Sequence, residues 1–373
     1  MNSIQAIEEG SFQLPKFYEE PITFLSFIDK SFNEYFEIIE RIDEGTIVEK
    51  LKIIKPKIHT LCNELQKSYL QLYLGYVSKS YSHFDKGMQQ IERYLVSEFD
   101  ASHPLCENRL LFRGIKREKE PEPNRERMFH LPFELRHRAT TQRFSIPGLP
   151  CLYLANSSYV CWEELDRPDY KDFYLSRFEI KDFMKLNALD ISLTPKSLAT
   201  LINKTSEIME EGVDGWDSMI LDYIIKWPLI FCCSIKVLNA DATFKPEYII
   251  PQYLLEWVRH NKRLNAIKYF SVKAHLNQDA DYSKFINIVF PVQEIKDTGY
   301  CSHLSSSFAY TNPKRFADID TTSEISQEGF KNYIMNFRPD ISILLSELKG
   351  FEKDYTKSHF GRFEINLCSD ATL

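Results

Sequence analysis

The most familiar active-site motifs are missing from this chain of 373 residues. It has no G-x-x-x-x-G-K-[ST] phosphate loop, no G-x-G-x-x-G, no H-E-x-x-H and no G-x-S-x-G. These absences argue against a P-loop NTPase, a Rossmann dehydrogenase, a zinc protease and a serine hydrolase. The eight cysteines are scattered without a C-x-x-C pair, and the nine histidines form no convincing ligand pairs. We therefore expect reduced, mostly buried thiols, and no bound metal.

Long apolar runs and long basic runs are also missing. The most apolar stretch, YIIKWPLIFCCSIKVL, is interrupted by Lys226, Pro228 and Lys236, and the first residues lack the basic and apolar regions of a signal peptide. We therefore expect a cytoplasmic protein with no membrane partner. The net charge of −7 and the absence of a basic run argue against strong capture of nucleic acid.

The N-terminal region has the apolar periodicity of amphipathic helices. In the first of them, apolar residues recur at spacings of three and four: Phe24, Ile28, Phe32, Phe36 and Ile39. Further helical patterns continue to about residue 99, where Pro56 is expected to start or kink a helix. No arginine of this region is followed by histidine at the R-x(4–6)-H spacing of a helical nuclease. We therefore expect a regulatory, oligomerising or partner-binding role.

Short apolar segments with strand character begin near residue 109. RLLFRGI, CLYLA, FYLSRFEI, KLNALDIS, LNAIKYFS and INIVFPV are typical of strands, and SLATLINKTSEIMEE and PQYLLEWVRHN of helices. The pattern predicts an α+β fold, with a helical domain over 1–104 followed by a mixed α/β domain over 105–373.

Three polar residues stand at the ends of predicted strands or on the helix that follows one. Arg113 follows LLF, Glu164 lies on the helix after LYLANSS, and Ser271 closes LNAIKYFS. Each has an ordinary structural explanation when it is considered alone: an ion pair, a solvated acid and an isolated serine.

The order and spacing of four segments resemble those of the RES domain family. These are LLFRG, RFSIPGLPCLYLANSSYVCWEEL, EYIIPQYLLEWVRHNKRLNAIKYFS and INIVFP, and the resemblance covers about residues 105 to 295. The arginine, glutamate and serine that give the family its name correspond to Arg113, Glu164 and Ser271. Glu164 is chosen over Glu163 because nine residues separate it from Leu154. Some family members have an aromatic residue after the arginine, where this chain has Gly114.

The resemblance implies an ADP-ribosyltransferase-like fold and NAD+ as the substrate. Glu164 would stabilise the oxocarbenium character that develops when the bond between nicotinamide and ribose breaks. Arg113 would hold the pyrophosphate or ribose side, and Ser271 would position the nicotinamide ribose. Arg143 and Tyr153 are candidates for phosphate contact and ring packing, with a loop salt bridge and a core tyrosine as equal alternatives.

These features predict an NAD+ phosphorylase or glycohydrolase that acts as a toxin or defence effector. RES toxins are often paired with an Xre-like antitoxin, and the added helices suit association into a homo-oligomer. Two alternatives stay open: an ADP-ribosyltransferase that modifies a protein or nucleic acid, and a non-catalytic NAD-sensing protein. The nucleophile is also open, because phosphate, water and a side chain all suit the same glutamate.

Overall fold

A computed structural model describes residues 1–18, 22–95, 110–117, 121–181, 186–208, 214–236, 239, 241–274, 282–318, 330–331, 333, 344–346 and 352–369. The helices are α1 (Ser3–Glu8), α2 (Phe24–Glu40), α3 (Ile47–Tyr73), α4 (Val77–Leu95), α5 (Ser158–Glu164), α6 (Pro195–Ile208), α7 (Asp214–Ser234), α8 (Ile249–His260), α9 (Ser302–Ser307) and α10 (His359–Ser369). The strands are β1 (Leu110–Lys116), β2 (Cys151–Ala155), β3 (Phe173–Ile180), β4 (Ala188–Ile191), β5 (Ala266–Phe270), β6 (Ile286–Pro291), β7 (Phe308–Tyr310), β8 (Lys314–Arg315), β9 (Leu344–Ser346) and β10 (Glu352–Asp354). The α+β prediction is confirmed.

Contacts divide the chain into two compact units. The first unit comprises Met1–Ala101, Gln142–Phe144 and Leu189–His260, and the second comprises Ser102–Thr141, Ser145–Ala188 and Asn261–Leu373. The predicted division between residues 104 and 105 lies outside the described residues. The units do not follow two consecutive halves of the sequence, because α6, α7 and α8 group with the N-terminal helices.

Aromatic packing explains why α7 belongs to the first unit. The Tyr35 ring on α2 stacks on Trp227 of α7, with centroids 4.6 Å apart, and its hydroxyl donates to the Ile224 carbonyl at 2.9 Å. Asp217 of α7 accepts a hydrogen bond from the Ile47 amide at 2.9 Å, which satisfies one of the free N–H groups at the start of α3. These contacts join segments about 190 residues apart and bury a core of large rings.

The predicted helices of the first unit are present. On α2, Phe24, Ile28, Phe32 and Ile39 are buried as expected, whereas Phe36 is only partly buried and the neighbouring Tyr35 fills the core. Helix α3 continues through Pro56 without ending. No helix in the described ranges combines the length and apolar character that crossing a bilayer requires. The seven cysteines of the described ranges are free and buried.

An antiparallel sheet forms the centre of the second unit. Within this unit the strand order is β5-β6-β2-β1-β3-β7, with β8 paired against β3. β1 and β3 pair over seven residues, from Leu110 opposite Glu179 to Lys116 opposite Phe173. β1 and β2 share the single register pair Phe112 and Ala155. Helices α5 and α10 pack on the face of the sheet that carries Phe112 and Ala155, and they bury an aromatic core with it.

Candidate active site

Glu164, Ser271 and Asn287 form one hydrogen-bonded cluster in the second unit. The Ser271 hydroxyl donates to Glu164 Oε1 at 2.6 Å, although the two residues are 107 positions apart. Asn287 Nδ2 donates to the same oxygen at 2.7 Å. Ser271 and Asn287 are buried, whereas Glu164 is partly exposed. The cluster therefore fixes one carboxylate oxygen from below and leaves the glutamate accessible from solvent.

The secondary structure places each member of this cluster. Ser271 directly follows β5, where its amide donates to the Phe285 carbonyl at 2.7 Å. Asn287 lies on the central strand β6, with Ala155 of β2 opposite on one side and Tyr269 of β5 on the other. Two neighbouring antiparallel strands thus bring a hydroxyl and an amide to the same end of the sheet.

Helix α5 is held at its start. The Ser157 hydroxyl accepts from the Val160 amide at 3.2 Å, as an N-cap residue does. The buried Glu364 of α10 accepts from both the amide and the hydroxyl of Ser158 at 2.6 Å. Burial raises the pKa of Glu364, whereas the Ser158 and tyrosine hydroxyl hydrogen bonds lower it. The C-terminal helix therefore fixes the orientation of the short helix that ends at Glu164.

The other acid of α5, Glu163, has a structural environment. It is 2% exposed, and its two oxygens accept from Arg167 Nε at 2.9 Å and Nη2 at 2.8 Å. Asp166 and Arg167 both have left-handed backbone angles, with φ of 59° and 54°. Such angles are uncommon for residues other than glycine, and here the paired charges stabilise the turn that ends the helix.

Arg113 lies next to the point where β1 and β2 meet. Its Nη1 donates to the Tyr153 carbonyl at 3.1 Å, and its buried Nε has no hydrogen-bond partner among the described residues. Burial lowers the pKa of this guanidinium from its usual value. The guanidinium and the Glu164 carboxylate both lie within electrostatic range of the Cys161 thiol, whose pKa is raised mainly by burial. Arg113 therefore belongs to the same region of the second unit as the cluster.

Gly114 allows α5 to approach β1. A Cβ atom built on this residue would lie 2.7 Å from Phe173 Cε2 and 2.9 Å from Cys161 Cβ. The residue that departs from some RES sequences is thus in close contact with the helix that carries Glu164. An aromatic side chain at this position would not fit the observed packing.

The two secondary candidates have different environments. The backbone of Tyr153 holds Arg113, and burial raises the pKa of its phenol. Arg143 belongs to the first unit, where its guanidinium donates to the carbonyls of Cys233 at 3.0 Å and Ile235 at 2.8 Å. These contacts give Arg143 a structural role after α7, and contact with phosphate stays a prediction.

Asn287 was not among the residues selected from the sequence. It lies within the strand INIVFP, whose apolar pattern predicts a buried strand and draws attention away from its polar member. The available signal was that a buried amide needs hydrogen-bond partners. The sequence could not show that one of those partners is Glu164, because 123 residues separate them.

The fold and this cluster define an α+β protein in which an antiparallel sheet supports a partly exposed glutamate. The chain is 34% identical over 352 residues to a Bacillus subtilis (strain 168) protein named "Putative toxin YopC", covering 92% of this chain and 75% of that protein. The chain belongs to the same family as that protein. No family model matches the chain, and neither does any solved structure.

Proposed function

We propose that this chain is an NAD+-cleaving toxin of the RES type, which breaks the bond between nicotinamide and ribose. The observation that carries the proposal is the 2.6 Å hydrogen bond between Ser271 and Glu164. Both residues were selected from sequence motifs alone, and the fold brings them together from positions 107 residues apart. The toxin name of the Bacillus subtilis relative supports the same proposal.

Glu164 has the geometry needed to stabilise a cationic sugar. Both hydrogen bonds to its carboxylate end on Oε1, and no residue in the described part of the chain donates to Oε2. Oε2 is therefore available to accept from a ribose hydroxyl or to face the anomeric carbon. As the glycosidic bond breaks, its electron pair moves to the nicotinamide ring, and the positive charge that develops on the ribose is stabilised by the carboxylate.

The neighbouring residues supply orientation. Asn287 and Ser271 fix the rotamer of Glu164 before the substrate binds, so the carboxylate needs little reorganisation during the reaction. Arg113 retains unused donor capacity at its Nε, which suits an oxygen of the pyrophosphate. Tyr153 contributes through its carbonyl, which positions the Arg113 guanidinium.

The fate of labelled NAD+ separates this proposal from its alternatives. The purified protein is incubated with NAD+ that carries a label on the adenine, and the products are separated by size and by chromatography. Cleavage predicts labelled ADP-ribose or its phosphate ester together with free nicotinamide. Label attached to a macromolecule would identify a transferase, and bound but intact NAD+ would identify a sensor; either result would contradict the proposal.

A toxin of this type would act on the NAD+ of the cytoplasm and need a neutralising partner. We propose an Xre-like antitoxin for this role, with the helices of the first unit as a site of control or of homo-oligomer formation. Induction of the protein in growing cells is expected to lower total NAD+ before growth stops. Growth arrest with NAD+ unchanged would contradict the proposal.

A further inference from the structure

Lys273 lies beside the proposed catalytic glutamate and has no role in the scheme above. Its ammonium donates to the Glu164 carbonyl oxygen at 3.1 Å and to Asp166 Oδ1 at 2.9 Å. The side chain is 39% exposed. An ammonium group has three N–H donors, and within the described ranges Lys273 uses two. One donor is therefore available to a ligand that arrives from solvent.

The other cations of this region are more fully occupied. Arg167 directs its Nε and Nη2 to the two oxygens of Glu163. Arg113 is buried and donates to the Tyr153 carbonyl. The contact of Lys273 with Asp166 is different in kind, because the Asp166 side chain is 83% exposed, and such surface pairs are easily exchanged for another anion.

The charge of the nucleophile decides whether a cation is needed here. Water can approach a carboxylate without electrostatic cost. A phosphate dianion is repelled by Glu164, so it needs a positive charge close to the anomeric carbon. Lys273 places such a charge at the end of α5, next to the backbone of Glu164 itself.

We propose that Lys273 binds the attacking inorganic phosphate, so that the enzyme is a phosphorylase; this inference rests on the proposed function. A phosphate oxygen forms a bond to the anomeric carbon while the bond to nicotinamide breaks. The electron pair of that bond neutralises the nicotinamide ring, and the phosphate keeps its own proton. The products are nicotinamide and the phosphate ester of ADP-ribose.

The test measures the initial rate of nicotinamide release against inorganic phosphate at saturating NAD+. The wild-type rate is expected to depend on phosphate. Lys273→Gln is expected to raise the KM for phosphate about tenfold, the effect of losing one charge-assisted hydrogen bond. Lys273→Arg keeps the charge and should retain the parental phosphate KM. Asp166→Asn removes a competing anion and should lower it.

A second set of readouts separates phosphate binding from simple positioning. Phosphate binding predicts that Lys273→Gln leaves the KM for NAD+, and the kcat at saturating phosphate, within about twofold of the parent. A lower kcat with an unchanged phosphate KM would show that Lys273 only holds the end of α5, and would overturn the inference. Nicotinamide release that ignores phosphate would overturn it and leave the proposed function standing. A wild-type protein that releases no nicotinamide would remove both.

Discussion

Two adjacent acids at the end of α5 have opposite environments. The carboxylate of Glu163 is buried against Arg167, and that of Glu164 is partly exposed and held by Ser271 and Asn287. Consecutive helical residues point about 100° apart, so one side chain reaches the turn and the other reaches the end of the sheet. The helix geometry therefore assigns structure to one acid and makes the other available for chemistry.

Substitution of Glu163 is expected to affect stability and leave the chemistry intact. Glu163→Gln removes the charge that pairs with Arg167, and we expect a loss of about 1 to 3 kcal/mol in the free energy of unfolding. Thermal unfolding measures this loss, with Glu164→Gln as the matched variant that should unfold close to the parental temperature. Nicotinamide release by folded Glu163→Gln should stay near the parental rate, and its complete loss would identify the wrong acid as catalytic.

The amide of Asn287 is expected to be essential for the rate. Asn287→Asp places a second carboxylate where Nδ2 lies 2.7 Å from Glu164 Oε1, so two like charges must share the site. We expect nicotinamide release to fall by roughly a hundredfold. Asn265→Asp is the control, because Asn265 uses its Oδ1 to accept from the Asn187 amide and an aspartate keeps that acceptor. Equal activity of the two variants would contradict the role of Asn287.

At the scale of elements, the close packing of α5 on β1 depends on a glycine. Gly114→Ala would place a methyl group within 3 Å of Phe173 and Cys161, so the helix or the ring must move. We expect a loss of about 1 to 3 kcal/mol in stability and a lower rate of nicotinamide release. Gly10→Ala is the control, since a Cβ there meets nothing within 4 Å. Parental stability and rate in Gly114→Ala would show that the contact is not needed.

The sequence predicted most of the elements that carry the candidate site. Period-two and period-three-to-four patterns located β1, β2, β5, β6 and α5, because each buries one face or both. Helix α7 was seen only as an apolar run, since it is apolar on most sides and therefore shows no amphipathic period. Its packing with Tyr35 and Trp227, which joins it to the first unit, is a long-range contact that local patterns do not contain.

The site itself was predicted only in part. Glu164, Ser271 and Arg113 were found because short motifs surround them, and motif order survives without knowledge of the fold. Asn287 and Lys273 lie in or beside ordinary strand and loop sequence. Their importance comes from hydrogen bonds to Glu164 across more than 100 residues, which the structure reveals.

At the scale of the whole molecule, a buried histidine is expected to make the second unit sensitive to acid. His130 Nδ1 lies 2.7 Å from the Leu131 carbonyl, and its Nε2 accepts from the Cys301 amide at 3.0 Å, so the neutral ring satisfies both contacts. Burial lowers the pKa of His130 to about 4, and the nearby Arg113 lowers it further. The ordinary pKa of about 6.5 applies in the unfolded chain.

The sign of this effect follows from proton uptake on unfolding. Between pH 6.5 and pH 4 the unfolded chain binds a proton that the folded chain excludes, so the stabilisation is complete above pH 6.5 and is lost as the pH falls. We expect a loss of about 2 kcal/mol at pH 5. Urea unfolding of the parent and of His130→Gln at pH 7 and pH 5 isolates this contribution. Identical pH dependence in both proteins would contradict it.

The account depends most directly on the rate at which the purified protein releases nicotinamide from NAD+, with Glu164→Gln beside it. The substitution keeps the size of the side chain and removes the charge that stabilises the cationic ribose. We predict release by the parent and a fall of at least a hundredfold in the variant. Asp169→Asn, which changes an exposed carboxylate on the same unit, should keep the parental rate. Equal rates in the parent and in Glu164→Gln would contradict the central claim.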